Sequence, residues 1–149
     1  MKIAIGNDHA GKQLKDDTLQ FLRHKGIEVI NVGTDTDISV DYPDYAKQVA
    51  TLVRDQQADL GILICGTGIG MSISANKIKG IRAANIYDEQ TAVLAKKHNL
   101  ANIITFGART HTKEQVLSLL ETFLNTKFEA RHETRINKIK EIEDASCLK

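Results

Sequence analysis

The chain has 149 residues, 42% of them apolar and 26% charged, with a formal net charge of +1. That length fits one domain over 1–149, and the near-neutral charge removes the usual sequence argument for nucleic acid or an anionic membrane as partner. The sequence has no run of about 18 apolar residues, the apolar stretch Ile3–Ile5 is too short for a signal peptide, and two distant cysteines make no disulfide framework, so a cytoplasmic protein without a membrane span is expected.

Short β-branched runs alternate with longer amphipathic segments. Lys2–Ile5 predicts a first strand. Gly11 to about Lys25 carries Leu14, Leu19 and Leu22 at helical spacing and stops at Gly26. Ile27–Val32 predicts a second strand, and the acidic stretch Thr34–Asp41 a loop. Pro43 suits the start of a helix that carries Ala46, Val49, Ala50 and Val53 on one face. Leu60–Ile64 has the continuous apolar character of a parallel strand buried on both faces. A short helix over Ile69–Ile78 and a fourth strand over Ile81–Ile86 follow, then a helix capped by Asp88 and running to about Lys97. Ile103–Phe106 predicts a fifth strand, Thr112 and Gln115 a capping box, and Glu129 to about Glu143 a last helix with a thin stripe of Ile136, Ile139 and Ile142. Alternation of this kind predicts a three-layer α/β/α Rossmann-like sandwich around a five-stranded parallel sheet. Ligands of such sheets bind beyond the carboxyl ends of the strands, which points to residues 6–11, 33–42, 65–71 and 108–111.

Cys65-Gly66-Thr67-Gly68-Ile69-Gly70-Met71-Ser72 is the strongest local signal. Three glycines at alternate positions let backbone N–H groups turn toward one point, and the helix that follows aims its positive end there. Such a cradle suits a phosphate or a developing enediolate oxygen; a plain strand-to-helix turn is the other reading. Cys65 at the mouth of the cradle reads as a base or nucleophile, or as a buried structural cysteine. Cys147 has no assigned role. Gly66–Gly70 is not the dinucleotide fingerprint GxGxxG, and Met71 stands where a cysteine phosphatase needs arginine. Gly6–Gln13 follows the P-loop pattern except that Gln13 replaces the Ser or Thr that holds magnesium, which leaves a nucleotide-binding module as a remote alternative.

Other polar groups are scattered. Asp8-His9 follows the first strand, and His98-Asn99 follows the fourth helix. Each reads as a binding pair or as a helix cap. Neither histidine has a second ligand at metal spacing, so no metal site is expected. Arg131 and Arg135, four apart, would project from one helix face toward a phosphate or into solvent. Arg109 stands just after the fifth strand, at the active edge of the sheet.

Gly6-Asn7-Asp8-His9-Ala10-Gly11, Asp41-Tyr42-Pro43, Cys65–Gly70, Ala75-Asn76-Lys77, Gly80-Ile81-Arg82-Ala83, His98-Asn99, Phe106-Gly107-Ala108-Arg109 and Arg131-His132 stand in the order and spacing of one family. Together they make the chain resemble the ribose/galactose phosphate isomerases, and within them the B-type ribose-5-phosphate isomerases. The resemblance implies interconversion of an aldose and a ketose phosphate through a cis-enediolate, with no metal or organic cofactor. It implies Cys65 as the base between C1 and C2, Thr67 passing a proton between the oxygens, and the backbone of Gly66, Gly68, Ile69 and Gly70 holding the enediolate. His98, assisted by Asp8, would open the furanose ring. Tyr42 and Asn99 would contact sugar hydroxyls, and His9, Arg109, Arg131 and Arg135 the phosphate. The same resemblance implies a homodimer or dimer of dimers with shared active sites, and the thin stripe of the last helix reads as a seam against a partner. Arg131, Arg135 and His9 are then candidates for supply from the neighbouring chain. His98-Asn99 and the arginine pair favour ribose 5-phosphate, with allose 6-phosphate, galactose 6-phosphate and a non-catalytic sugar-phosphate binder as alternatives.

Overall fold

A computed structural model describes residues 1–146. Cys147 lies outside the described residues. Five parallel strands run in the order β2-β1-β3-β5-β4: β1 (Lys2–Asn7), β2 (Glu28–Asn31), β3 (Leu60–Cys65), β4 (Ala83–Asn85) and β5 (Ile103–Gly107). Helices α1 (Lys12–His24), α2 (Tyr42–Arg54), α3 (Ile69–Ala75), α4 (Glu89–Lys97) and α5 (Lys113–Asn125) connect and cover them, and α6 (Glu133–Ser146) follows a 3-10 turn at Ala130–His132.

The sheet is buried from both sides, as the apolar run of β3 predicts. Ile3, Ile5, Ile62, Ile64, Ile104 and Phe106 pack with α1, α4 and α5 on one face. Ala4, Leu63, Cys65 and Ile103 pack with α2 and α3 on the other. Alternate side chains of one strand thus feed two cores, which is the three-layer sandwich expected.

Several expected boundaries shift: β2 keeps Glu28–Asn31 of Ile27–Val32 and α3 ends at Ala75 rather than Ile78, and four others bear on the site. The first strand runs on to Asn7, because Gly6 and Asn7 still pair with Leu63 and Ile64. The turn after it is a 3-10 turn, His9–Gly11, so α1 begins at Lys12. The fourth strand keeps only Ala83–Asn85 of Ile81–Ile86. It lies at the sheet edge, and there the Asn76 side chain takes both backbone groups of Ala83, at 2.8 Å each, which caps the edge. The last helix starts at Glu133 rather than Glu129, so Arg131 lies in the 3-10 turn and Arg135 in the helix. The two arginines therefore do not share a helix face. Among the described residues no helix is long and apolar enough to cross a membrane.

Lys15 on α1 is fully buried and reaches the loop after β2, where its ammonium meets Asp35 and lies 3.4 Å from the Thr34 carbonyl. Asn7 Nδ2 donates to the same carbonyl at 3.0 Å, and Lys12 pairs with Asp37 at 3.1 Å. The acidic loop is thereby tied down along its length, and it delivers the chain to Tyr42 at the start of α2.

Candidate active site

Cys65 ends β3 in the middle of the sheet, next to β1 and β5. The chain leaves it through Gly66 and Thr67, and Gly68 takes φ +79° before α3 begins at Ile69. That conformation suits glycine, and it turns the Gly68 N–H back toward the strand end. The N–H donates to Cys65 Sγ at 3.1 Å. Ile69 N–H donates to Thr67 Oγ1 at 3.3 Å. The sulfur thus stands within reach of a backbone donor where β3 hands over to α3.

Residues from three other strand ends close on this loop. Ala108 N donates to the Cys65 carbonyl at 2.8 Å and Arg109 N to the Gly66 carbonyl at 2.9 Å, which fastens the loop after β5 to the cradle. The Arg109 guanidinium lies beside Gly66, its Nη1 3.1 Å from where a Cβ would stand. Tyr42 lies over Gly70, where a Cβ would be 2.6 Å from the ring, so this position needs glycine for close approach. Asp8 N donates to the Ile64 carbonyl at 3.1 Å, and the Asp8 carboxylate caps the 3-10 turn by accepting from Ala10 N at 2.9 Å. His9 Nδ1 accepts from Val40 N at 3.3 Å. The structure thus gathers Asp8, His9, Tyr42, Cys65, Thr67, Gly66, Gly68, Ile69, Gly70 and Arg109 at the carboxyl edge of the sheet.

The turn at residues 8–11 offers no wide phosphate loop. A Cβ on Gly11 would stand 2.7 Å from Ile64 Cγ2, and Lys12 is already engaged by Asp37. The P-loop-like spelling at residues 6–13 therefore folds into a tight turn pressed against β3.

His98 lies elsewhere. It follows the last residue of α4 and precedes β5, so it sits at the amino edge, the opposite end of the sheet from Cys65. β3 spans that separation with five residue steps, about 17 Å. Around His98 the structure assembles a second cluster. The His132 ring stacks on His98 at 4.0 Å between centroids. Arg135 Nη1 donates to His132 Nδ1 at 2.8 Å, which leaves the proton of the neutral ring on Nε2, a buried atom 3.7 Å from Glu129 Oε2. Glu129 bonds Lys97 at 2.8 Å and Arg131 at 2.7 Å, and these two cations hold its carboxyl down at about 2. Burial first, and then the positive charge of His98, Arg131 and Arg135, push the His132 imidazole below its ordinary range.

His98, Glu129 and His132 place ligand-type atoms within 4.8 Å of one another, a proximity that sequence spacing does not reveal. The carboxylate in this cluster is already shared by two cations, and Arg135 occupies a nitrogen of His132. Such a neighbourhood repels a further cation and attracts an anion. Asn99 is exposed beside His98, and its carbonyl accepts from Arg82 Nε at 3.3 Å. Leu100 takes φ +46°, and Arg82 holds its carbonyl through Nη2 at 2.9 Å, so Arg82 pins the left-handed turn that presents His98 and Asn99. His132 and Arg82 stand inside motifs quoted above, yet sequence position alone assigns neither a contact.

One chain therefore carries two half-clusters at opposite edges, with the thiol and cradle on one and the imidazoles and two arginines on the other. The Ribose/Galactose Isomerase family model matches residues 3–139. Ribose-5-phosphate isomerase B of Escherichia coli K12 is 43% identical over 143 residues, which cover 95% of this chain and 96% of that protein. The solved ribose-5-phosphate isomerase B of Clostridium thermocellum is 46% identical, with a TM-score of 0.96 over 98% of this chain and 99% of that one. The Mycoplasma genitalium ribose-5-phosphate isomerase B, solved with bound ribulose 5-phosphate, is 40% identical, with a TM-score of 0.91 over 96% of both chains. With the family model spanning nearly all of its length, the chain belongs to the ribose/galactose isomerase family.

Proposed function

We propose that the chain interconverts ribose 5-phosphate and ribulose 5-phosphate, with Cys65 moving the proton between C1 and C2. The observation that carries the assignment is the Gly68 N–H donated to Cys65 Sγ at 3.1 Å inside a loop of backbone donors. Proton abstraction beside a carbonyl turns that carbonyl oxygen into an oxyanion. Fixed N–H groups next to the base stabilise this charge more in the transition state than in the bound sugar. Thr67, with its hydroxyl at the mouth of the cradle, is suited to relay a proton between the two oxygens. The ribulose 5-phosphate bound by the Mycoplasma genitalium relative supports a pentose phosphate as substrate.

The active site is completed by a second copy of the chain. Cys65 and His98 lie about 17 Å apart along the sheet, whereas reacting groups must approach to about 3–3.5 Å. A two-fold dimer that sets the amino-edge cluster of one copy over the carboxyl edge of the other brings them together. His98 would then open the ring and Asn99 contact a hydroxyl. Arg131 and Arg135 would meet the phosphate together with His9 and Arg109. Exposed Tyr42, Ile69 and Ile73 at the cradle side and Ile139 and Ile142 on α6 supply apolar surface for such a contact. In this arrangement His9 belongs to the same chain as Cys65, and His98 joins the two arginines as a partner-supplied group.

Cys65→Ala is the direct test. It should abolish isomerisation and the exchange of substrate C2 hydrogen with deuterated solvent, with the far-ultraviolet dichroism unchanged. Full turnover in this variant would refute Cys65 as base. A comparison of kcat/KM for ribose 5-phosphate, allose 6-phosphate and galactose 6-phosphate tests the sugar assignment, and a preference for either hexose would overturn it.

A further inference from the structure

The two peptide groups at the heart of the cradle are each held from behind by a side chain that no motif names. The Thr67–Gly68 peptide donates its N–H to Cys65 Sγ at 3.1 Å. Its carbonyl, on the far side of the peptide plane, accepts from Asn85 Nδ2 at 3.4 Å. The Gly68–Ile69 peptide donates its N–H to Thr67 Oγ1 at 3.3 Å, and its carbonyl accepts from Thr105 Oγ1 at 2.9 Å. Thr105 is fully buried on β5, and its hydroxyl also lies 3.1 Å from Asn85 Oδ1. Asn85 ends β4 and donates in addition to Tyr87 Oη at 3.0 Å. Gly68 leaves no room to spare, since a Cβ there would stand 2.5 Å from Asn85 Oδ1.

A hydrogen bond to a carbonyl polarises its peptide and strengthens the N–H at the other end. It also removes the freedom of a glycine peptide to rotate away from the sulfur. Thr105 alternates with Ile104 and Phe106 and so lies on the face that buries Ala4, Leu63, Cys65 and Ile103, where its hydroxyl needs a partner and finds the Gly68 carbonyl. We infer that Asn85 and Thr105 are positioning residues of the isomerase, a brace that holds the Gly68 N–H on the Cys65 sulfur and the Ile69 N–H on the Thr67 hydroxyl without touching the sugar. Asp8, His9, Tyr42 and Arg109 reach the same edge of the sheet from the turn after β1, from α2 and from the loop after β5. The brace contains no charge and acts through geometry and polarisation alone.

The inference rests on Cys65 and its cradle carrying the proton transfer, so its test has two arms. In a Cys147→Ser background, Thr105→Val, Thr105→Ser and Asn85→Ala are compared with the parent. The first arm is steady-state kinetics with ribose 5-phosphate, and the second is the rate at which iodoacetamide alkylates Cys65 near neutral pH. Thr105→Val is expected to lower kcat by about 10- to 100-fold with KM held within about threefold, and to slow alkylation several-fold, because the lost interaction serves the transition state. Thr105→Ser restores both, and Asn85→Ala moves both in the same direction. A Thr105→Val enzyme with kcat within about twofold of the parent, or a loss that Thr105→Ser fails to restore, overturns the brace. If the parent itself turns over no sugar phosphate, the functional reading fails and the alkylation arm alone decides the brace. If Thr105→Val does not fold, Asn85→Ala, at a half-buried position on the sheet edge, decides it.

Discussion

Complementation between two inactive chains follows directly from the opposite placement of the half-clusters. Cys65→Ala destroys the carboxyl-edge half, and Arg135→Ala weakens the amino-edge half, with His98→Ala as a second choice for the latter. Each variant alone has every site defective. After unfolding and joint refolding in equal amounts, half of the dimers are mixed. In a two-fold dimer that shares its sites, each mixed dimer has one site bearing both defects and one bearing neither. The mixture therefore recovers about one quarter of the parental turnover per chain, from half the dimers with half their sites intact. If each chain held a whole site, the mixture would show only the sum of the two residual activities. The assay is ketose formation from ribose 5-phosphate, with mixed dimers verified by a charge tag on one chain. Verified mixed dimers with no gain over that sum would refute the shared site. The structural magnitude behind the expectation is the separation along β3 of about 17 Å, which no side-chain rotation within one chain closes to reacting distance.

Other expectations follow from single contacts. Gly68→Ala forces a Cβ into a left-handed position facing Asn85 Oδ1 and the Phe106 backbone, at 2.5 and 3.0 Å, so the loop must shift; a stability loss of about 1–3 kcal/mol by denaturant titration and a larger fall in kcat than in 1/KM are expected. Lys15→Ala removes a fully buried stem and the tether of the acidic loop, for about 2–4 kcal/mol of destabilisation. Glu129, held at about 2 against an ordinary 4.5, contributes stability that is present above pH 4.5 and lost as pH falls toward 2. Thermal melting of Glu129→Gln across that window should show a flatter acid limb than the parent, and identical limbs would contradict the assignment. His132, whose imidazole lies below its ordinary 6.5, adds a loss of stability as pH falls below that value, because the unfolded chain takes the proton first.

The apolar run Leu60–Ile64, the capping box at Thr112 and Gln115, and the Gly68 turn declare themselves because each is settled by neighbours in sequence. The fourth strand is shorter than its β-branched run because Asn76, from the preceding helix end, takes the backbone of Ala83. The family resemblance gives His98 and the two arginines to the same reaction as Cys65, with the arginines expected from a neighbouring chain. The fold sets them at opposite ends of the sheet, since a helix that returns the chain from one parallel strand to the next must end at the amino edge. Arg131 and Arg135 look paired by spacing, but the 3-10 turn at Ala130–His132 sends them to different partners, Glu129 and His132.

Chain length and near-neutral charge determined the scale of the protein and removed nucleic acid and membrane as expected partners. Periodicity determined the order of strands and helices, and the glycines around Cys65 determined where a backbone cradle forms. These are local properties, set by torsional preference and side-chain spacing. Only the tertiary structure decided that the cradle is braced by Asn85 and Thr105, because donors from β4 and β5 meet Thr67 and Gly68 through sheet register. It also decided that His98 stacks on His132, far from the thiol, because strand direction separates the two edges of a parallel sheet. In a chain of 149 residues the Cys65 thiol and the His98 imidazole thus stand at opposite ends of one sheet.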